Sequence, residues 1–319
     1  LATAGLLVSA TAGSLAALLI GTAITGAFSV VAQVLVPFAA TLSPVAQRGK
    51  VVGTVMSGLL MGILLARTVA GALSSLGDWH TVYWVAAALM LLNTLALWRA
   101  QTTRMHYGQL IGSVFAQFAR YPLHRQRSLL GCLIFAMFSV LWTSLAFLLS
   151  SEPWSYSDAT IGLFGLAGAM GALSARHAGV LTDRGHGARL TVLGVVALLV
   201  SWGLLGLGAY SLIALVAGIV LLDLALQAVH ITNMNMIFNL DEAARNRLNS
   251  GYMFLYFVGG ALGSLGSAAA YQHYGWLGVC LLGGGLGVLG VGYGVWIHVG
   301  PTHKAHSGVA KEEARPVDS

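Results

Sequence analysis

Residues 189–238 read RLTVLGVVALLVSWGLLGLGAYSLIALVAGIVLLDLALQAVHITNMNMIF. Apolar side chains dominate both halves of this stretch, which is broken around Gly208 to Ser211 and carries a single carboxylate, Asp223. Each half is about 20 residues long, which is the length that a helix needs to cross the hydrocarbon core of a bilayer. The stretch therefore predicts two consecutive membrane-spanning helices.

The rest of the chain has the same character. Of its 319 residues, 57% are hydrophobic and only 8% are Asp, Glu, Lys or Arg, whereas about 25% of the residues in a soluble domain are charged. The apolar runs are long and show no alternation, so they predict helices rather than barrel strands. Nine complete spans are predicted, at about 14–42, 51–76, 80–100, 128–150, 158–178, 189–209, 211–238, 251–272 and 276–298. We therefore expect an all-α polytopic membrane protein.

The basic residues lie almost entirely on one side of the predicted bundle. The loops around Asp78, Glu152 and His273 contain no Lys or Arg, whereas 15 of the 16 basic residues lie in or beside the alternate loops. The positive-inside rule assigns the basic side to the cytoplasm. We therefore expect a cytoplasmic central loop at 101–127 and a disordered cytoplasmic tail at 301–319. The +6 charge of the chain is explained without nucleic acid as a partner.

The two halves of the chain repeat each other. A constant offset aligns Ser14 to Gly21 with Ser211 to Gly218, and it also pairs Arg48 with Arg245, Gly62 with Gly259, and Trp79 with Trp276. Matches among Gly, Arg and Trp are more informative than matches among Leu or Ala in an apolar chain. The pattern predicts two helical bundles that repeat in the same orientation, which is the plan of one large class of transporters.

With this repeat and its basic central loop, the chain resembles the major facilitator superfamily. The resemblance implies a pair of six-helix bundles with a substrate cavity between them. Here a complete bundle is expected at 128–300, whereas the bundle at 1–100 has only three full spans and a fragment at 1–12. We therefore expect the first bundle to be incomplete, with roughly two and a half helices of the family plan missing ahead of residue 1.

A loop motif and a glycine motif strengthen the resemblance. The loop after the fifth predicted span resembles the second copy of the family's cytoplasmic loop signature, with one extra residue before its last glycine, and its matching residues are Gly179, Asp183, Arg184, Gly187 and Arg189. The span at 51–76 resembles the glycine-rich motif of the proton-coupled exporters, although Ile63 replaces proline and Arg67 intrudes. In the preceding span, Thr22 stands where many proton-coupled members carry arginine.

Polar residues in the middle of spans are the candidates for transport. Arg67 keeps its charge in the membrane, so it is expected to face a water-filled cavity or a partner, or else to extend toward the outer surface. Asp223, Gln227 and His230 share one face of a helix and are expected to line the cavity. Asp223 either exchanges a proton during transport or makes a structural hydrogen bond between helices.

Further candidates come from the repeat and from the aromatic residues. Gln33 corresponds to His230 in the repeat and is expected either to line the opposite wall of the cavity or to belong to a stripe of small residues that packs helices. Phe138 and Trp142 either contact an amphiphilic substrate or pack against neighbouring helices or lipid. Small residues allow close helix contact, which is the role expected of the paired glycines Gly58, Gly62, Gly259 and Gly263.

No motif in the sequence indicates an enzyme, a cofactor or a metal site. A G-x-x-x-x-G-K-[ST] phosphate loop, a metal-binding His-Glu helix and a G-x-S-x-G elbow are all absent. His303 and His306 provide only two metal ligands, which is too few for a closed site. We therefore expect neither ATP-driven transport nor hydrolysis.

The expected function is secondary active transport by alternating access in the bacterial inner (plasma) membrane. The resemblance favours proton-coupled efflux of a small organic molecule. The alternatives are a proton-coupled importer of a sugar or other metabolite, and a truncated remnant that does not transport. The expected partners are the small-molecule substrate, protons and the lipid bilayer, and the protein is expected to be a monomer.

Overall fold

The computed structural model describes residues 2–28, 62, 65–66, 68–75, 77–97, 107–169, 178, 180–241 and 244–299. Its helices are α1 (Ala2–Ala10), α2 (Leu15–Phe28), α3 (Trp79–Leu97), α4 (Tyr107–Arg120), α5 (Pro122–Ser150), α6 (Asp158–Ala169), α7 (Gly187–Leu207), α8 (Leu212–Phe238) and α9 (Arg245–Val299). Residues 68–75 are also helical, and a π-helical turn at Thr182–His186 precedes α7. The described residues contain no strand.

Four of the described helices are long and apolar enough to cross a membrane: α5, α7 with the end of its preceding turn, α8 and α9. Large apolar side chains are exposed along them, such as Leu193 at 66% and Val200 at 52% on α7. An exposed apolar surface of this kind requires lipid rather than water as its solvent. The prediction of an all-α polytopic membrane protein is therefore confirmed.

Most predicted spans correspond to helices. The spans at 80–100, 189–209 and 211–238 match α3, α7 and α8, each to within a few residues at its ends. The described parts of 14–42 and 158–178 are α2 and α6. Most of the span at 51–76 lies outside the described residues.

The helix that follows the central segment begins before the predicted membrane span. Helix α5 begins at Pro122 rather than at residue 128. Proline is favoured in the first turn of a helix, because its missing N–H group has no helical acceptor there. Arg125 and Arg127, which were assigned to the loop, therefore belong to the first two turns of a helix.

The central segment at 101–127 also contains a separate helix, α4. Leu110, Val114 and Phe118 recur at helical spacing, which is typical of an amphipathic helix that buries one face. The segment was read as a loop because its mean hydropathy is too low for a membrane span. The helical periodicity of these side chains was the available signal for this helix, which hydropathy alone does not detect.

Helix α9 contains the two spans predicted at 251–272 and 276–298, and it turns back on itself between them. Gly275 has φ 59° and ψ −152°, a conformation open essentially only to glycine. A Cβ atom at Gly278 would lie 2.6 Å from the carbonyl oxygen of Ala270, and one at Gly266 would lie 3.2 Å from Leu282. The halves of α9 before and after Gly275 therefore form a tight antiparallel hairpin.

The chain divides into two compact units, one formed by Leu1–Met105 with Ser155–Leu166 and the other by His106–Trp154 with Ala167–Ser319. Most of α6, from Asp158 to Leu166, thus groups with the first unit, although residues 128–300 were predicted to form one bundle. The predicted four-part division at 1–100, 101–127, 128–300 and 301–319 stays a prediction.

The first unit is held together by close backbone contact. A Cβ atom at Gly5 on α1 would lie 2.6 Å from Oγ1 of Thr25 on α2, so these helices touch without intervening side chains. His80 at the start of α3 lies 3.3 Å from the carbonyl oxygen of Ala12 through Nε2, and 2.9 Å from Oδ2 of Asp78 through Nδ1. These contacts fix the start of α3 beside the α1–α2 turn.

In the second unit, α5 packs against the first half of α9 through small residues. A Cβ atom at Gly259 would overlap the carbonyl oxygen of Cys132, and one at Gly263 would overlap that of Ala136. Nothing larger than glycine fits at these two positions while the helices keep their present distance.

Hydroxyl groups continue this interface toward the end of α5. The Thr143 hydroxyl donates to Oγ of Ser264 at 2.9 Å, and the hydroxyls of Ser144 and Ser267 lie 2.6 Å apart. The Ser267 hydroxyl also lies 2.6 Å from the carbonyl oxygen of Val140. Helices α5 and α9 are therefore joined by glycine contacts over two turns and by hydrogen bonds over the next two.

Candidate functional site

Asp223 lies near the middle of α8 and is 4% exposed. Its Oδ2 atom would lie 3.1 Å from a Cβ atom at Gly168 on α6, and the Cζ2 atom of Trp142 on α5 would lie 2.7 Å from the same point. The carboxylate and the indole ring are therefore neighbours beside Gly168. Residues of α5, α6 and α8 that all belong to the second unit meet at this point, and the glycine leaves the space that both side chains fill.

Gln227 and His230 extend the polar face of α8 from Asp223. The Nδ1 atom of His230 lies 3.0 Å from the hydroxyl oxygen of Tyr252 on α9, so one of the two donates to the other according to the histidine tautomer. The His230 ring also lies 4.8 Å from the ring of Tyr256. Gln227 is half-buried between Asp223 and His230 along the helix. The predicted polar face therefore points into the second unit rather than toward lipid.

An aromatic cluster lies between α5 and α9 beside this polar face. The rings of Phe135 and Tyr256 stack at 4.0 Å, and those of Phe135 and Phe138 at 5.4 Å. Trp142 follows at 6.0 Å from Phe138. Phe138 and Trp142, which the sequence analysis selected, thus belong to one ring array that reaches the Asp223 carboxylate.

The structure also identifies a residue that the sequence analysis missed. Arg127 on α5 is 1% exposed and is among the largest fully buried side chains of the described residues. Its Nη1 atom donates to Oγ1 of Thr191 on α7 at 2.7 Å and to Oδ1 of Asn233 on α8 at 3.3 Å. The signal was Pro122, because a helix that begins there places Arg127 on the same inward face as Leu130 and Ile134.

The loop motif forms the π-helical turn at Thr182–His186, followed directly by α7. Gly185 has φ 83°, and it lies in the part of the motif that is one residue longer than the family pattern. A π-helical turn can accommodate an extra residue, and the helix is kinked at Gly185, whose φ and ψ are not helical. Arg184 and Arg189 are exposed and Gly187 is buried, whereas Gly179 and the Asp183 side chain lie outside the described residues.

Several predicted site residues cannot be placed in this arrangement. Arg67, Gln33 and Gly58 lie outside the described residues. Gly62 is helical, and no described atom would come within 4 Å of a Cβ atom there. Its partner in the repeat, Gly259, is in tight contact with α5 as described above.

No group of three or more His, Cys, Asp or Glu residues that would hold a metal ion exists among the described residues. The site is therefore built from one carboxylate, one histidine, one amide and aromatic rings. Such a set can bind or release a proton and can contact an amphiphilic molecule.

Comparisons with known proteins agree with this architecture. The putative uncharacterized transporter YgaY of Escherichia coli (strain K12) is 56% identical over 288 residues, which cover 89% of this chain and 73% of that protein. The probable transporter SCO4007 of Streptomyces coelicolor is 33% identical over 275 residues, 84% of this chain and 63% of that protein. The inner membrane transport protein YnfM of Escherichia coli (strain K12) is 25% identical over 239 residues, 71% of this chain and 55% of that protein.

Residues 1–240 match the family model described as Major Facilitator Superfamily. The match covers most of the chain, including both the first described helices and the polar face of α8. Together with the long apolar helices and the close relatives, it confirms the resemblance noted in the sequence: the chain belongs to the major facilitator superfamily.

Proposed function

We propose that this protein is a secondary active transporter of the inner membrane that exports a small organic molecule in exchange for protons. The observation that carries this proposal is the position of Asp223, a 4% exposed carboxyl group in the middle of a membrane helix, beside Trp142 and Gly168. Ionisable groups at this depth are costly, and they mark ion and substrate pathways.

The coupling role of Asp223 follows from elementary electrostatics. A carboxyl group enclosed by apolar helices favours its neutral form, whereas contact with water or a cation favours the anion. Alternating access changes that environment in each cycle, so Asp223 takes up a proton in one state and releases it in the other. The protein needs no covalent chemistry for this process.

The substrate contacts in this proposal come from the same face of the second unit. Phe138 and Trp142 contact the apolar part of the substrate, and Gln227 and His230 provide hydrogen-bonding groups. Arg67 and Gln33 act from the other half of the repeat. A ring array beside a few polar groups is typical of sites that bind small organic molecules.

In this proposal, the helices move against each other at their glycine contacts. Gly259 and Gly263 bring α5 and α9 into backbone contact, and Gly58 and Gly62 have the corresponding role in the first half. Flat surfaces of this kind let helices rock against each other without steric obstruction by side chains. The cytoplasmic motif with Asp183, Arg184 and Arg189 ties helix ends together on the side where this motion closes.

The proposed orientation has the central segment and the C-terminal tail in the cytoplasm, and the proposed state is a monomer. The name of the relative YnfM supports the inner membrane. A cysteine introduced at Arg120, which lies on the basic side, should resist membrane-impermeant reagents in intact cells. Labelling of that cysteine from outside would show that the proposed orientation is wrong.

The test of the function uses the full-length protein in proteoliposomes that contain a pH-sensitive dye. Addition of substrates from an organic-compound panel should produce saturable proton movement, and an imposed pH gradient should drive uphill transport of the substrate. Asp223→Asn keeps the size and hydrogen-bonding capacity of the side chain, but the side chain can no longer bind and release a proton. This variant should retain substrate binding and downhill exchange while losing uphill transport.

Asp158→Asn is the matched control, because it makes the same chemical change at an exposed carboxylate at the start of α6. Transport is normalised to folded protein, so that a purely structural role of Asp223 appears as lower yield with normal coupling. Unchanged uphill transport in Asp223→Asn would remove this residue from the coupling step. If the proton gradient drives accumulation of the substrate in the import direction, the result would favour the alternative of a proton-coupled importer.

A further inference from the structure

Arg127 is a buried cation that the proton-coupling scheme does not use. It is 1% exposed, and its guanidinium group keeps its charge at physiological pH. Removal of a full positive charge from water is costly unless an anion or a set of hydrogen-bond acceptors replaces the water. The neighbours of Arg127 therefore determine what the group is suited to bind.

The described neighbours of Arg127 are neutral. Its two hydrogen bonds run to the Thr191 hydroxyl and the Asn233 carbonyl oxygen, and both start from Nη1. Tyr252 and Tyr293 on α9 are close enough to interact with Arg127 electrostatically, but they are phenols. The positive charge thus has no carboxylate beside it among the described side chains.

The edge of the guanidinium group opposite these two bonds is the one that recognises carboxylates. The Nε atom has no hydrogen-bond partner among the described residues. The Nε and Nη2 atoms form the fork that binds both oxygens of a carboxylate, and the bonds from Nη1 hold the plane of this fork in place. Thr191 and Asn233 therefore orient the fork, and no described residue satisfies its Nε atom.

The Asn233 side chain that accepts from Arg127 also makes a side-chain hydrogen bond with Tyr252. The Ser128 hydroxyl, which follows Arg127 in the chain, has no hydrogen-bond partner in the described part of the chain. A buried cation with an unsatisfied Nε donor favours an oxyanion as the ligand.

The aromatic cluster continues from this position into the second unit. A Cβ atom at Gly131, one turn after Arg127, would lie 2.7 Å from the Tyr252 ring, so the glycine lets Tyr252 pack against α5. Tyr252 lies 5.8 Å from Tyr256, which stacks on Phe135. A ligand held at Arg127 by its anionic group would therefore meet ring surface with its apolar part.

We propose that Arg127, oriented by Thr191 and Asn233, binds the carboxylate of the transported molecule, and that the substrate class is aromatic or amphiphilic organic acids. This inference rests on the proposed transport function and names its substrate class. Asp223 lies about 15 Å along α8 from Asn233, given a rise of about 1.5 Å per residue. The substrate anion and the coupling carboxyl group therefore occupy separate positions, and their charges do not compete for one site.

The test measures binding rather than transport, so its failure leaves the transport proposal standing. Benzoate is the probe, and benzamide, which has the same shape without the charge, is its neutral counterpart. Both are titrated by calorimetry into the purified full-length protein in an uncharged detergent. The wild type should bind benzoate at least about tenfold more tightly than benzamide, as expected for a charged bidentate contact.

Arg127→Met replaces the buried charge with an apolar side chain of similar length, a change that buried ion sites often tolerate. This variant should lose the preference for benzoate, and Arg127→Lys should restore it only in part because lysine lacks the fork. Arg125→Gln is the matched control, since Arg125 lies on the same helix but is exposed and bonds the carbonyl of Phe118.

Three outcomes would overturn the proposal: no benzoate binding by the wild type, equal binding of benzoate and benzamide, or an unchanged preference in Arg127→Met. The phosphate of a lipid is another source of an oxyanion. If phosphatidylglycerol raises the thermal stability of the wild type but not of Arg127→Met, and benzoate has no effect, Arg127 is a lipid site and the substrate proposal is wrong.

Discussion

Replacement of Gly259 by alanine tests the closest helix contact in the second unit. The added Cβ atom would overlap the Cys132 carbonyl oxygen and would lie only 2.8 Å from its Cα atom. Carbon atoms in contact prefer about 3.5–4.0 Å, so α5 and α9 would have to separate by about 1 Å.

This separation has a cost that the neighbouring hydrogen bonds reveal. The Thr143–Ser264 and Ser144–Ser267 contacts are now 2.9 and 2.6 Å long, and an added 1 Å takes them to or beyond about 3.5 Å, where a hydrogen bond is no longer made. Hydrogen bonds between membrane helices contribute about 0.6 kcal/mol each. Together with overpacking, we expect a loss of about 1–3 kcal/mol in unfolding free energy.

The assay is thermal unfolding in detergent at a fixed scan rate, since unfolding of such proteins is often irreversible. A loss of about 1–3 kcal/mol lowers the apparent Tm by about 2–5 °C in a chain of this size. Gly284→Ala is the control on the same helix, because a Cβ atom there meets nothing within 4 Å. Alanine is the better helix former, so this variant should be equal to or slightly more stable than the wild type. Equal Tm values for the two variants would refute the close contact at Gly259.

Three further predictions concern other positions. Gly168→Ala places a Cβ atom 2.7 Å from the indole ring and 3.1 Å from the carboxylate of the proposed site, so transport per folded molecule should fall more than Tm does; the converse result would make the position structural. Gly275→Ala forces a side chain into a conformation with φ 59°, and it should lower the apparent Tm where Gly284→Ala does not. His80 donates a hydrogen bond to Asp78 and thereby holds the pKa of that carboxyl group below its ordinary value of 3.8. The stabilisation is therefore present at neutral pH and is lost as the pH falls through the lowered pKa, so the Tm difference between wild type and Asp78→Asn should vanish in acid but not at pH 7.

Among the described residues, hydropathy was sufficient to predict the membrane helices but not their ends. An arginine in a hydropathy profile marks the edge of a span, so Arg127 was assigned to the loop although it lies inside a helix that starts at Pro122. The start of α9 at Arg245 rather than at residue 251 has the same cause, because a helix that leaves the hydrocarbon core loses its apolar composition before it loses its helical backbone.

The candidate site shows a different limit. Helical periodicity placed Asp223, Gln227 and His230 on one face, because these three depend only on spacing within α8. Their partners come from other helices: Trp142 from α5 and Gly168 from α6 meet Asp223 only after tertiary packing. A single sequence contains no signal for such a meeting point, so the neighbours of the carboxylate required the structure.

The two halves of α9 are joined directly at Gly275, with no loop between them. The first half is fastened to α5 by glycine contacts, and the second half begins with Trp276, whose indole nitrogen donates to the carbonyl oxygen of Leu205 at the end of α7 at 2.8 Å. A longer loop would absorb a displacement of one half, whereas this joint passes it on to the other. We therefore expect a displacement of α5 to be transmitted through α9 to α7.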